Sequence, residues 1–368
     1  MKTVRILLAI VISLLLVCCN GSTVETRRAT SVPYTDYLIA DSVPTCLDLE
    51  LACMAALKGE VFGCDGAELL FFMRQDMMAI CTYDFASRKM DEIFRSEIPI
   101  SGFFPISKDS IWILDYGTKI YNTSNTELKY TCPLSGRYWL CLPSKMWYVN
   151  DNLYTNIYPF RENENESDIW VESRDAEQLA AWAFSPDGSA TEKFAFGRIP
   201  DAHPADNYYA PLIQTTFNPK DSLFVLSTSL SPEVEIYKFD GAFVGKKEIT
   251  SASFTMPAPL SKKDANFNNE IRYENDNATF DELYYDKYRD VYLRVLQLPQ
   301  SKNNTDMTTD IMPEWKLIVA DSNMDVKYEV SFENSNYMPA LFITEKGVYI
   351  FSYDETNTLQ TCGLFLFD

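Results

Sequence analysis

Leu223-Phe224-Val225, followed by Ile236-Tyr237-Lys238-Phe239-Asp240-Gly241, is one copy of a two-part strand motif that recurs along this chain. The first part, aliphatic–aromatic–aliphatic, returns as Leu70-Phe71-Phe72, Ile111-Trp112-Ile113, Met146-Trp147-Tyr148, Val291-Tyr292-Leu293 and Val348-Tyr349-Ile350. The second, a strand that ends in Asp or Asn and turns, returns at 80–84, 119–122, 183–188, 317–321 and 363–368. Asp-Gly and Asn suit tight hairpin turns because they tolerate the left-handed backbone region. Two interleaved series imply six antiparallel sheets of about four strands, at a mean step of roughly 55 residues, close to known propeller repeats. Radial packing buries both faces of each sheet and protects the edges. The expected fold is all-β, a six-bladed β-propeller. Seven blades, a β-sandwich and a two-domain β protein remain as alternatives.

The expected blades are 58–96, 101–131, 138–198, 208–252, 278–333 and 338–368. The chain stops where earlier copies enter their outermost strand. A strand from 35–55, including Tyr37-Leu38-Ile39 or residues 47–52, is therefore expected to complete the last blade. The long excursions 159–180, 253–280 and 299–314 carry Pro, Asn, Asp, Glu and Lys and read as surface loops.

With 46% hydrophobic residues the chain can build a large core, which excludes wholesale disorder. Thirty-two basic against 52 acidic residues, a net charge of −20, argue against nucleic acid as a partner. At the start, Lys2 and Arg5 precede a twelve-residue apolar run, 6–17, interrupted only by Ser13. Crossing a bilayer takes ~20 such residues, so the run fits a signal peptide.

Leu16-Val17-Cys18-Cys19 resembles the lipobox of bacterial lipoproteins, with Cys19 as the acylated residue and Cys18 in the small position before it. That resemblance implies a thioether-linked diacylglycerol and an N-acyl chain, and several acyl chains give durable anchoring. The expected organisation is a lipoprotein signal at 1–18, a flexible tether at 19–34 and a propeller domain at 35–368. An ordinary cleaved signal is the alternative. Seven further cysteines (46, 53, 64, 81, 132, 141 and 362) form no CxxC pair, and their scatter suits buried thiols as well as disulfides. Asn-x-Ser/Thr triplets at Asn122, Asn165, Asn277 and Asn303 matter only in a glycosylating host.

With leader, tether and blades together, the chain resembles the TolB-like six-bladed propeller lipoproteins of Gram-negative envelopes. Within these it is similar to a family of unknown function whose fifth blade carries a pattern like Tyr285-Asp286-Lys287-Tyr288-Arg289-Asp290-Val291-Tyr292-Leu293-Arg294. Phe184-Ser185-Pro186-Asp187-Gly188 matches a hairpin turn common in such blades, although the strand after it departs from their form. The resemblance implies a fold and an envelope location. It brings no activity, catalytic residue or cofactor.

The chemistry-bearing residues are sparse. His203, alone between Asp201 and Asp206, lacks the partners of a transition-metal set and reads as a loop histidine. Asn275-Asp276-Asn277 with Asp281 and Glu282 offers oxygen ligands for calcium but matches no spacing motif, so no metal or other cofactor is expected. Asp286 and Asp290 are a possible carboxylate pair for glycoside cleavage, and Arg289 and Arg294 are expected to pair with them and pin the hairpin. Nucleophile-elbow, Walker and dinucleotide motifs are absent from the sequence. Most aromatics sit inside strand repeats; Trp170, Tyr208, Tyr209, Tyr273 and Tyr337 lie in loop-like stretches and, with Asp286 and Arg289, are the expected ligand-contacting residues. The leading expectation is a lipid-anchored, non-enzymatic binding or scaffold propeller. It would face the periplasm from the outer membrane and take an envelope protein or glycan as partner. The rival is a secreted glycoside hydrolase or lyase.

Overall fold

The computed structural model describes residues 29–38, 59–64, 66–74, 77–116, 119–132, 137–138, 144–159, 177–198, 213–258, 260, 267–299, 314–333, 335–352 and 361–367. Strand β1 is Ser31–Pro33. A first repeat follows as β2 (Glu60–Cys64), β3 (Ala67–Met73), β4 (Ala79–Asp84) and β5 (Lys89–Arg95), and a second as β6 (Ile100–Ser107), β7 (Ser110–Asp115), β8 (Lys119–Asn122) and β9 (Asn125–Thr131). The third comprises β11 (Ser144–Val149), β12 (Asn152–Asn156), β14 (Leu179–Phe184) and β15 (Ala190–Phe196), with the short β10 (Arg137–Tyr138) and β13 (Tyr158–Pro159) paired beside it. The fourth is β16 (Ile213–Asn218), β17 (Leu223–Thr228), β18 (Glu233–Lys238) and β19 (Phe243–Glu248). After helix α1 (Phe267–Asp276) come β20 (Thr279–Asp286), β21 (Val291–Gln297), β22 (Trp315–Asp321) and β23 (Val326–Ser331). The last repeat is β24 (Tyr337–Ile343), β25 (Val348–Ser352) and β26 (Thr361–Phe365).

These strands form an all-β body in a β-propeller arrangement. Its hydrogen-bonded sheets differ from the six equal units expected. Among the described residues they contain five, two, eight, four, four and three strands, so four sheets have four strands or more. The eight-stranded sheet arises because β6 and β11, the first strands of neighbouring repeats, pair in parallel at Ser144↔Gly102 and Lys145↔Phe103. The five-stranded sheet arises because β1 adds in parallel to β23, Val32 opposite Val330.

The strand-ending Asp and Asn residues do what their side chains allow. Asp84, Asn122, Asp187, Asn218, Asp240, Asp286 and Asp321 each accept, through Oδ1, the amide two residues on, the Asx turn that lets a strand reverse. At Asp187-Gly188 and Asp240-Gly241 the glycine takes φ of 84°, open to it because it lacks a Cβ. One copy of the aromatic motif is out of phase. Met146-Trp147-Tyr148 lies on β11, a first strand, whereas the other five lie on second strands; the equivalent second strand, β12, carries Leu153-Tyr154.

The core is a chain of apolar clusters between successive repeats. Leu114, Ile120, Leu153 and Trp182 join the second to the third; Tyr154, Phe196, Phe224 and Leu226 the third to the fourth. Val225, Ile236, Phe280 and Ile318 join the fourth to the fifth, and Leu293, Trp315, Ile350 and Phe365 the fifth to the last. A further cluster, with Phe71, Ile113, Phe342 and Tyr349, joins the first repeat to both the second and the last. The contacts thus return on themselves.

The N-terminal segment meets the ring at two repeats: β1, inside the stretch expected as tether, adds to β23 of the fifth, and Leu38, inside the stretch expected to complete the last blade, makes a single bridge to the last. Leu38 bridges antiparallel to Phe365, and Leu366 donates its amide to Tyr37 O at 3.1 Å. Residues 39–58, which include the other expected strand, lie outside the described residues. The excursion 253–280, expected as loop, contains α1. No helix among the described residues is long and apolar enough to cross a membrane.

Candidate functional site: an axial cavity

The first strand of every repeat contributes to one cavity of about 360 Å³. Glu60 and Phe62 come from β2, Phe104 from β6, Lys145 and Trp147 from β11, Phe217 from β16, Tyr284 from β20 and Leu341 from β24. The walls are largely aromatic and are braced from behind: Phe62 meets Phe104 edge-on at 5.4 Å, Trp147 meets Phe224 at 5.5 Å, and Phe217 meets the same Phe224 at 4.7 Å.

Glu60, Lys145 and Lys287 bring charge to the lining, and its buried part centres on Lys145. Lys145 Nζ donates to Glu282 Oε2 at 2.9 Å, joining the third repeat to the fifth, and stands 4.9 Å from the centre of the Tyr284 ring. Both side chains of the pair are about nine-tenths buried. Burial acts to discharge Lys145, but Glu282, Glu60 and Asp281 outweigh it and hold the ammonium above its ordinary pKa. Burial likewise pushes the Tyr284 phenol up, reinforced by Glu282 and Asp281. The lysine's contribution to stability is therefore complete at neutral pH and is lost only as pH rises through its raised value, above 10.5. Lys145→Met withdraws the ammonium that Glu282 accepts in a buried place and is expected to cost about 3 kcal/mol in urea unfolding. Adding Glu282→Leu should restore most of that loss, and failure to do so would show that the two do not act as a pair.

The expected ligand residues lie elsewhere. Asp286 is fully buried, and its carboxylate holds the turn: Oδ1 accepts the Tyr288 amide at 2.9 Å and Oδ2 accepts Arg289 Nη1 at 2.6 Å. Arg289 goes on to the last repeat, donating to Thr344 O at 3.2 Å and Glu345 O at 3.1 Å. Tyr288 OH donates to Glu68 of the first repeat at 2.6 Å, and Glu68 also accepts the Glu345 amide at 2.9 Å. This hairpin is a clasp over three repeats, and its Lys287 and Tyr288 line the cavity while Asp286 and Arg289 hold the turn behind them. Asp290 accepts from Lys220 and from Tyr285 OH, and those partners hold its carboxyl below the usual range, the wrong direction for a general acid.

Arg294 pairs with neither aspartate. Tyr273 is buried on α1 with its hydroxyl donating to Ala258 O at 2.9 Å, and Tyr337 packs edge-on against Phe365 at 5.2 Å, so neither presents an open stacking face. Trp170, Tyr208, Tyr209, His203 and Cys19 lie outside the described residues. The oxygen donors considered for calcium are dispersed: Asn277 Nδ2 donates to Tyr273 O, closing α1, while Glu282 faces Lys145. Among the described residues no cluster of three or more His, Cys, Asp or Glu could hold a metal. Cys64, Cys81, Cys132 and Cys362 are buried and form no disulfide with one another, and burial pushes Cys132 up to about 12.

Glu60, Phe62, Phe104, Lys145, Phe217 and Tyr284 escaped sequence reasoning because they lie on first strands, which carry no shared motif, whereas Lys287 and Tyr288 fall in the fifth-blade segment already singled out. Trp147 was visible only as a member of the aromatic series.

Fold and cavity together define an all-β propeller protein with an aromatic axial pocket. Among solved structures, it is similar to a member of the DUF4221 family from Bacteroides vulgatus, at 15% identity over 89% of this chain and 95% of that one, with a TM-score of 0.63. Looser likenesses are regucalcin, a calcium-binding protein from Agrobacterium tumefaciens (11% identity, 92% and 97% covered, TM-score 0.44), and virginiamycin B lyase from Staphylococcus aureus (13%, 87% and 98%, TM-score 0.43). At these identities the likeness concerns the fold alone. No family model and no curated protein sequence matches the chain.

Proposed function

We propose that this protein is a six-bladed, TolB-like propeller lipoprotein, held to a bacterial envelope membrane through Cys19, that binds a ligand in its axial cavity without turning it over. The observation that carries the binding role is the convergence of all six first strands on one aromatic-lined space. Counting β6–β9 and β11–β15 as separate blades rests on the cluster packed between them and on only two paired positions at their junction. In this reading the Tyr37-Leu38 segment completes the last blade. The leash rests on the lipobox-like Leu16-Val17-Cys18-Cys19. An outer-membrane, periplasm-facing position follows from the resemblance.

Against a hydrolase or lyase stands the use of Asp286 and Asp290 as turn pins. Screening the purified chain against small-molecule, glycan and peptide panels, with turnover measured, tests the proposal. Saturable binding sensitive to Trp147→Phe, with no product formed, is expected. Measurable turnover would replace it with the enzyme reading. Labelling with radioactive palmitate should be abolished by Cys19→Ala, and a Cys19→Ala chain that still carries label would remove the leash.

A further inference from the structure

We propose that the axial cavity takes a flat aromatic or conjugated ligand bearing a carbonyl-type oxygen, the oxygen accepting from Lys145 Nζ and Trp147 Nε1 and the ring held against Phe62, Phe104 and Phe217. This rests on reading the cavity as the ligand site and adds the chemistry of the ligand. Two groups on the wall can only donate. Lys145 and Trp147 stand two positions apart on β11 and so share one face of the strand. Of the three Lys145 N–H bonds one goes to Glu282, and the ammonium stands beside the Tyr284 ring; no second oxygen among the described residues accepts from it. Trp147 is 6% exposed, and its indole N–H meets no acceptor among the described residues. Unlike the indole N–H of Trp112, which is sealed in the core, that of Trp147 reaches open space.

Neither an indole N–H nor an ammonium has a lone pair to offer, so only an acceptor answers them. The lining carboxylate, Glu60, is already engaged within the protein, and the Thr216 hydroxyl can turn either way. A hydrocarbon entering here would strip water from both donors and leave them unmet, and a ligand led by an N–H would set donor against donor. A carbonyl or carboxylate oxygen carries two lone pairs and can accept from both. The rings suit a flat body: Phe62 and Phe104 lie mutually edge-to-face at 5.4 Å, and Phe217 adds a further ring to the wall. The cavity volume of about 360 Å³ is that of a small-molecule pocket.

Ligand-observed NMR on the purified chain tests the assignment with four probes: acetophenone, α-methylstyrene (a CH2 group in place of the ketone oxygen), benzoate and benzylammonium. Acetophenone should bind several-fold more tightly than α-methylstyrene, although the hydrocarbon is the more apolar. Trp147→Phe removes the N–H along with some ring, and should weaken acetophenone more than α-methylstyrene. The double variant Lys145→Met/Glu282→Leu removes the ammonium without stranding its partner, and should erase most of the preference for the ketone. Thermal unfolding of both variants separates lost binding from lost fold. Benzoate bound more tightly than acetophenone assigns the oxygen to a carboxylate, and the reverse order assigns it to a neutral carbonyl. If α-methylstyrene or benzylammonium binds as tightly as the oxygen-bearing probes, and does so sensitively to Trp147→Phe, the acceptor assignment is overturned and the cavity remains a ligand site. Absence of any Trp147-sensitive binding would overturn both.

Discussion

Arg294→Met is expected to cost at least about 5 kcal/mol, enough to leave much of the chain unfolded at moderate urea. Arg294 is fully buried on β21, and burial pulls its pKa well below the ordinary guanidinium value. What holds the charge is a set of oxygens from the neighbouring repeat. Nη1 donates to Pro232 O at 3.0 Å and Ile249 O at 2.6 Å; Nη2 donates to Ser227 Oγ at 2.7 Å, Thr228 O at 3.2 Å and Ser231 O at 2.7 Å. The guanidinium also lies 3.5 Å from the centre of the Phe280 ring. Methionine fills the volume but withdraws all five donated bonds; Pro232 O keeps the Ile249 amide, and each carbonyl left buried and unmet costs ~1–3 kcal/mol. Lysine reaches fewer of them from a point charge, so Arg294→Lys should recover only part. Urea unfolding of the three chains checks this, and a methionine variant within about 1 kcal/mol of the parent would refute the staple role.

The second large effect is at the chain's entry into the ring. Tyr34 stacks on Phe332 at 5.4 Å and meets Tyr337 edge-on at 5.6 Å; Tyr37 stacks on Tyr328 at 5.6 Å and packs against Phe367 at 5.5 Å. Losing both rings removes ~1.5–3 kcal/mol of apolar burial apiece at full burial, with further loss from each aromatic pair. The double variant Tyr34→Ala/Tyr37→Ala is therefore expected to lose about 4 kcal/mol. Hydrogen exchange should locate the damage. The amides of Leu366, bound to Tyr37 O, and Glu329, bound to Thr30 O, should lose protection before those of β3 or β17. Uniform loss across the sheets would mean that the segment is not a closure.

These contacts also mark what could be read without coordinates. The second strands announce themselves because they are buried on both faces and so read as unbroken apolar runs: Phe71, Phe224 and Tyr292 are all fully buried. The third strands announce themselves through the Asx turn that ends them. First strands face the axis, where one side must suit a cavity rather than a core, and Glu60 and Lys145 break the apolar pattern there. That is why the site was illegible while the repeat was not. Trp147 shows the same limit from the other side, since a cavity wall and a blade core ask for the same residue. The Lys145–Glu282 pair spans 137 positions, and one sequence carries no signal for such a partnership. Arg294 was read as a partner for the hairpin aspartates because its acceptors are mostly backbone carbonyls, which every residue possesses.

The axial convergence of first strands is tested most directly by an experimental electron-density map of the chain. It should show β2, β6, β11, β16, β20 and β24 around one space, with Lys145 on its wall and in contact with Glu282. A map placing Lys145 and Glu282 in sheets that do not share a cavity would contradict the account.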